Sequence, residues 1–181
     1  MSPVVRIIPV GDILSIPVEH IAGTLQDTIL RPVVIAQPLA IPAEAWDSRR
    51  NQFRGEQILA YLKNRHTRID DDVLGIIDRD CYAQGLNYIF GQASMRTHTG
   101  FVSLCRLREN FYDRPENDAL FLERILTECV HELGHMWGLP HCGDPRCGMH
   151  YSNTLADTDY KRSQLCTRCR GLLHENYRRQ P

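Results

Sequence analysis

Apolar residues fall along this chain in two rhythms. Five short runs, VVRII (4–8), VVIA (33–36), DVLGIID (72–78), LNYIF (86–90) and FVSLCRL (101–107), have the length and character of strands. VVIA is continuously apolar, which fits a parallel strand covered on both faces. Between the first two runs, Ser15, Pro17 and Glu19 signal a helix start, and Val18, Ile21, Leu25 and Ile29 follow at helical spacing. A second helix is predicted over residues 43–64, with Ile58, Leu59 and Leu62 on one face and Trp46 and Phe53 on another; Gly55 disturbs its period. The order βαβαβββ predicts an α/β (α+β) fold, a twisted and mostly parallel five-stranded sheet with helices backing it.

The helical rhythm is longest in the last third. Asn117 and Asp118 are both good N-caps, and Leu122, Leu126, Cys129, Leu133 and Trp137 then recur every three or four residues as a buried stripe. Arg124, Glu128, His131 and His135 share another face, which is expected to look into a cleft. Gly138 can leave the helix through positive φ, and Pro140 discourages a restart. Further on, Asp157 or Asp159 is expected to open a final helical region. It carries Cys166 and Cys169 one turn apart, with Leu172, Leu173 and Tyr177 packing back onto the body.

The chemistry is concentrated in HELGHMWGLPHC (131–142). His131 and His135 are four apart, so their imidazoles lie one turn above the other and can share one metal ion. The turn at Gly138 brings His141 back to the same ion. Three neutral imidazoles leave the ion its full charge, which lowers the pKa of a bound water to about 7. Glu132, roughly 100° around the helix, stands beside the open position, placed to take that water's proton. H-E-x-x-H alone arises in roughly one shuffled chain in fifty, but adding Gly138 and His141 at their spacings lowers this to roughly one in twenty thousand. Downstream, Cys142, Cys147, Cys166 and Cys169 have spacings that suit tetrahedral Zn²⁺ in a closed structural shell. Two zinc ions per chain are therefore expected.

Composition narrows the setting. With 181 residues, 43% apolar and 24% charged, the chain reads as one ordinary globular domain (1–181). The cleft is expected to divide it into a lobe of sheet and helices (1–138) and a lobe with the third histidine, Met149 and the cysteines (139–181). A net charge of −1 offers no basic field for nucleic acid. No basic leader opens the sequence, and no run reaches the roughly 20 apolar residues of a membrane span. A cytoplasmic address is the expectation. Thiols stay reduced there, so cysteine clusters mean metal rather than disulfides. Cys81, Cys105 and Cys129 are left over, and Cys129 reads as core.

The order HExxHxxGxxHC, then C-x-Met at Cys147–Met149, then the distal CxxC at Cys166–Cys169, resembles the archaemetzincins (archaelysins), a family of metzincin zinc peptidases. LNYIFGQAS (86–94) and VSLCRLR (102–108) resemble family strands more loosely. The resemblance implies an antiparallel edge strand on the sheet and a Met-turn at Met149 flooring the site. It also implies a zinc-dependent peptidase, in some relatives an aminopeptidase, acting on short peptides. It gives His131, His135 and His141 to a catalytic zinc, Glu132 to catalysis, and Cys142, Cys147, Cys166 and Cys169 to a structural zinc. Tyr151 is expected to be a packed loop tyrosine, with an oxyanion or fifth-ligand role as the alternative. His150 is expected at the surface or as a loop hydrogen-bond donor. Glu128 is expected to be a solvated carboxylate, with recognition of a substrate α-amino group as the alternative. A monomer acting on peptides is the leading reading. A zinc amidase on a small molecule and a non-catalytic zinc-binding protein remain the alternatives, and the intact Glu132 weighs against the second.

Overall fold

The computed structural model describes residues 4–13, 15–65 and 71–179, with side chains to residue 176. The expected packing of Tyr177 lies outside the described residues. In chain order the elements are β1 (Val5–Val10), α1 (Val18–Ile29), β2 (Val33–Ile35), β3 (Trp46–Asp47), β4 (Gln52–Arg54), α2 (Gly55–Arg65), β5 (Asp72–Ile77), β6 (Cys81–Tyr82), β7 (Gly91–Ser94), β8 (Thr99–Ser103), α3 (Asp118–Met136), α4 (Leu155–Tyr160) and α5 (Thr167–Arg179).

The main sheet has five strands in the order β2-β1-β5-β8-β7. All neighbours are parallel except β7, which pairs antiparallel with β8 from Gly91↔Val102 to Ser94↔Thr99. Alternation along the central strands sends side chains to two cores. Ile7, Leu74, Ile76 and Val102 meet Leu25 of α1 and Ile125, Cys129 and Leu133 of α3. Ile8, Val73, Ile77 and Phe101 meet Ile58 and Leu62 of α2 on the other side. Gly75 lets α2 approach the sheet, because a Cβ there would come within 2.7 Å of Leu62.

Several elements depart from the sequence expectation. β2 is parallel but forms an edge of the sheet, with Val34 and Ile35 exposed rather than covered on both faces. Residues 43–54 are not helical. A 3-10 turn (Ala43–Ala45) leads into a hairpin of β3 and β4, which β6 extends to a small three-stranded sheet. Trp46 and Phe53 pair across that hairpin with ring centroids 5.0 Å apart. Seven residues is two helical turns and also a cross-strand partner in a tight hairpin, so the spacing was ambiguous. LNYIF (86–90) is not a ladder strand either. Ile89 makes only an isolated bridge to Cys81, and the edge strand is the next four residues, GQAS. Ile89 and Phe90 are apolar because they are buried, although Phe90 O accepts the Ser103 N–H of β8 at 2.8 Å.

Helix α3 runs for 19 residues and starts as expected, with Asn117 Oδ1 accepting the Leu120 N–H at 3.1 Å. Its exit is a Schellman turn: the Leu139 N–H donates to Gly134 O and the Gly138 N–H to His135 O, with Gly138 at φ 82°. Its buried face carries Phe121, Ile125, Cys129, Leu133 and Met136, whereas Leu122 and Leu126 are half-buried. The final helical region is two helices. Thr154, not an aspartate, caps α4, and Asp157 completes the capping box by accepting the Thr154 N–H at 2.8 Å.

Candidate active site

The three histidines of the 131–141 run converge. His135 Nε2 lies 3.1 Å from His131 Nε2 and 3.2 Å from His141 Nε2. The tautomers follow from the opposite ring nitrogens. His131 Nδ1 donates to Gly148 O at 2.7 Å and His135 Nδ1 to Leu139 O at 2.8 Å, because a carbonyl can only accept. Their Nε2 lone pairs therefore point at one another, an arrangement that a shared cation relieves. Tetrahedral Zn–N bonds of about 2.0–2.1 Å place nitrogens about 3.3–3.4 Å apart, which the triad fits. Burial holds His131 well below the usual imidazole pKa and lowers His135 and His141 too, so all three are neutral near pH 7.

Glu132 is outside that ligating set and beside it. It is buried on the wall of a cleft of about 390 Å³ that also contains the three histidines. Edge strand β7 closes over it: a Cβ on Gly91 would come within 2.5 Å of Glu132 Oε1. Burial, reinforced by the charge of Glu128, pushes the Glu132 carboxyl well above its ordinary range, with Lys161 opposing. Met149 is fully buried, and its sulfur occupies the space that a Cβ on Gly134, next to His135, would need.

The four expected cysteines also gather. Cys142 Sγ and Cys166 Sγ are 3.8 Å apart, the edge of a tetrahedron with Zn–S bonds of about 2.3 Å. The Cys166 N–H donates to Cys147 Sγ at 3.3 Å and the Asp144 N–H to Cys142 Sγ at 3.4 Å, as backbone amides do around thiolates. Burial pushes the Cys147 and Cys169 thiols up, while the Cys169 amide pulls Cys166 down. All seven cysteines are free thiols, and burial keeps Cys129 inert. The two clusters share a loop. The Cys142 N–H donates to Met149 O at 2.8 Å, and the His150 ring donates to Cys142 O at 2.9 Å.

The model of peptidase family M54 matches residues 24–175. The chain belongs to this family, the archaemetzincins. It is 33% identical to an archaemetzincin of Pyrococcus furiosus over 97% of this chain and 94% of the relative. The crystal structure of archaemetzincin from Methanopyrus kandleri superposes with a TM-score of 0.84 at 31% identity, covering 98% of this chain and 97% of that one. A zinc-dependent peptidase from Methanocorpusculum labreanum also gives a TM-score of 0.84, at 25% identity over 93% and 99% of the two chains. As a member of this family, the chain is a zinc metallopeptidase.

Within this archaemetzincin site, three side chains do not lie where their sequence positions suggested. Glu128 is not solvated: it is buried, accepting from Thr158 Oγ1 at 2.8 Å and from Lys161 Nζ at 3.1 Å. Arg124 does not look into the cleft. It is buried, bonded to Leu107 O, Glu109 and Asp159. Tyr151 is 39% exposed on the cleft wall, its ring 4.9 Å from His141, rather than packed in the loop. Lys161 was missed altogether. Fully buried, it links Glu128 to His150 O at 3.3 Å and so ties α3 to the loop after Cys147. A lone lysine in a polar stretch gives no signal of such a place.

Proposed function

We propose that this chain hydrolyses short peptides as an aminopeptidase, with His131, His135 and His141 holding a catalytic zinc and Glu132 as general base. The observation that carries this reading is the pairing of three converging imidazoles with a buried carboxylate left out of their set. A bound zinc ion supplies Lewis acidity to polarise a carbonyl and to acidify water. Glu132 takes the proton of the attacking water and delivers it to the departing amine. Burial raises its pKa, which favours the protonated form that donates to the departing amine. Gly91 keeps β7 against Glu132 and so limits bulk water around it.

A second zinc on Cys142, Cys147, Cys166 and Cys169 is proposed as structural, giving two per chain. We read Met149 as the Met-turn, and divide the chain into lobes 1–138 and 139–181 at the cleft. A reducing cytoplasm would keep the four thiols available, and among the described residues no helix is long and apolar enough to cross a membrane. The aminopeptidase assignment rests on the family resemblance and on Glu128, the only carboxylate besides Glu132 that lines the cleft among the described residues. Lys161 already compensates Glu128, so an α-ammonium group would have to share it. A peptide library with free and with N-acetylated termini, presented to zinc-loaded protein, tests this. Cleavage confined to free termini is expected, and equal cleavage of acetylated peptides would show an endopeptidase.

A further inference from the structure

The segment between β6 and β7 and the loop after Met149 both line the cleft. One hydrogen bond joins them: the Tyr88 hydroxyl donates to Asn153 O at 2.6 Å, across 65 residues of sequence. Neither end of this bond is loose. The Tyr88 ring packs edge-on to Phe90 at 5.4 Å, and the Arg106 guanidinium lies 4.4 Å from its centroid. Arg106 is itself fixed by two hydrogen bonds to Asp80, at 2.6 and 2.8 Å. At the other end, the Thr154 N–H, which shares a peptide group with Asn153 O, donates to Asp157 Oδ2 at 2.8 Å, so the capping box of α4 holds that peptide in place. Burial raises the Tyr88 pKa above the ordinary tyrosine value, which keeps the hydroxyl a donor.

A second observation lies beside this bond. Ser152 Oγ is shielded from solvent and has no hydrogen-bond partner among the described residues, although Ser152 lines the cleft. A sheltered hydroxyl without a partner is costly unless a ligand completes it.

We propose that the Tyr88–Asn153 bond is a crossbar that ends the cleft on one side of the catalytic centre, limiting how far a peptide can extend there, with Ser152 meeting the polar terminal group that abuts it. This deepens, and rests on, the peptidase site assigned above. An extended peptide cannot pass through a contact that already spans its groove, so it must stop there or break the bond. A neutral hydrogen bond at a partly exposed site favours the closed arrangement by up to about tenfold. The limit is therefore a strong preference for short peptides on that side, not an absolute block.

Tyr88→Phe removes the hydroxyl and keeps the ring against Phe90 and Arg106. Two ladders of internally quenched peptides, one lengthened residue by residue at the N-terminus and one at the C-terminus, are compared on zinc-loaded wild type and variant. The wild type is expected to show a sharp fall in kcat/KM beyond a set length in one ladder only. Tyr88→Phe should raise the long-to-short ratio in that ladder by about tenfold, and Ser152→Ala should weaken the terminal, unextended peptides. Length independence in both ladders, or a fall that Tyr88→Phe leaves in place, overturns the crossbar. If no peptide is turned over, the catalytic reading has failed. The same ladders are then read as binding to the zinc-loaded protein, where the crossbar predicts the same one-sided fall in affinity and its absence refutes it.

Discussion

Glu132 sits where a carboxylate weakens the fold. It is buried in the cleft wall with Glu128 as neighbour, and both factors favour its protonated form. A carboxyl whose pKa is raised on folding contributes stability below its unfolded pKa of about 4.3, and that contribution is lost as pH rises through the folded value. Each unit of rise corresponds to about 1.4 kcal/mol. Glutamine mimics the neutral form at every pH. In metal-free protein, Glu132→Gln should therefore be more stable than wild type near pH 8, with the gap closing as the pH falls toward about 4.3. Denaturant unfolding of both proteins across that range measures it, and the histidines cancel because both proteins carry them. A gap that is constant with pH would mean that Glu132 is charged at no cost and already satisfied in the folded state.

At the scale of elements, α3 is the part the rest positions. Its second half is enclosed by β7, by the Met149 turn and by α4, so two glycines on opposing surfaces set the spacing of the site. Gly134 leaves the room against α3 that Met149 fills. Gly134→Ala has no room for its methyl group unless the Met149 turn moves, and overpacking of this kind costs about 1–3 kcal/mol. Because Gly148 O orients His131, the same movement should weaken zinc binding by the histidines. Chelator competition against the variant tests this; unchanged zinc affinity with lowered stability would mean that the turn does not set the ligand geometry. The start of α3 and its exit were legible because Asn117, Gly138 and Pro140 act locally. Its buried stripe was less legible, since Arg124 read as facing the cleft and Glu128 as solvated, whereas Asp159 and Lys161, far along the chain, cover them. The edge strand was hidden for a related reason. Gly91 and Ala93 are small to admit Glu132 and the neighbouring strand, and a strand selected for smallness lacks the β-branched signature that marks the others. Histidine and cysteine spacing, by contrast, is dictated by ion size and helix pitch, so both clusters could be read from the sequence.

Across the whole molecule, the histidine and cysteine clusters are mechanically one. His141 and Cys142 are adjacent, Cys142 is bonded to Met149, His150 is bonded to Cys142, and Lys161 joins that loop to α3. Cys166 and Cys169 anchor α5 to the same loop, so a metal on the cysteines should fix the ligands of the other. Losing such support commonly costs 10–100-fold in metal affinity. Cys169→Ser is expected to weaken zinc at the histidines to that extent, as read by calorimetric titration of the folded variant. An unchanged affinity would leave the cysteines with only the closing of the fold. The central claim, that this is a zinc peptidase driven by Glu132, is met most directly by comparing peptide turnover of wild type and Glu132→Gln at matched zinc content. The variant should keep its zinc and lose 10²–10⁴-fold in kcat, roughly the contribution of a positioned general base. Full turnover by Glu132→Gln at equal zinc occupancy would contradict the mechanism.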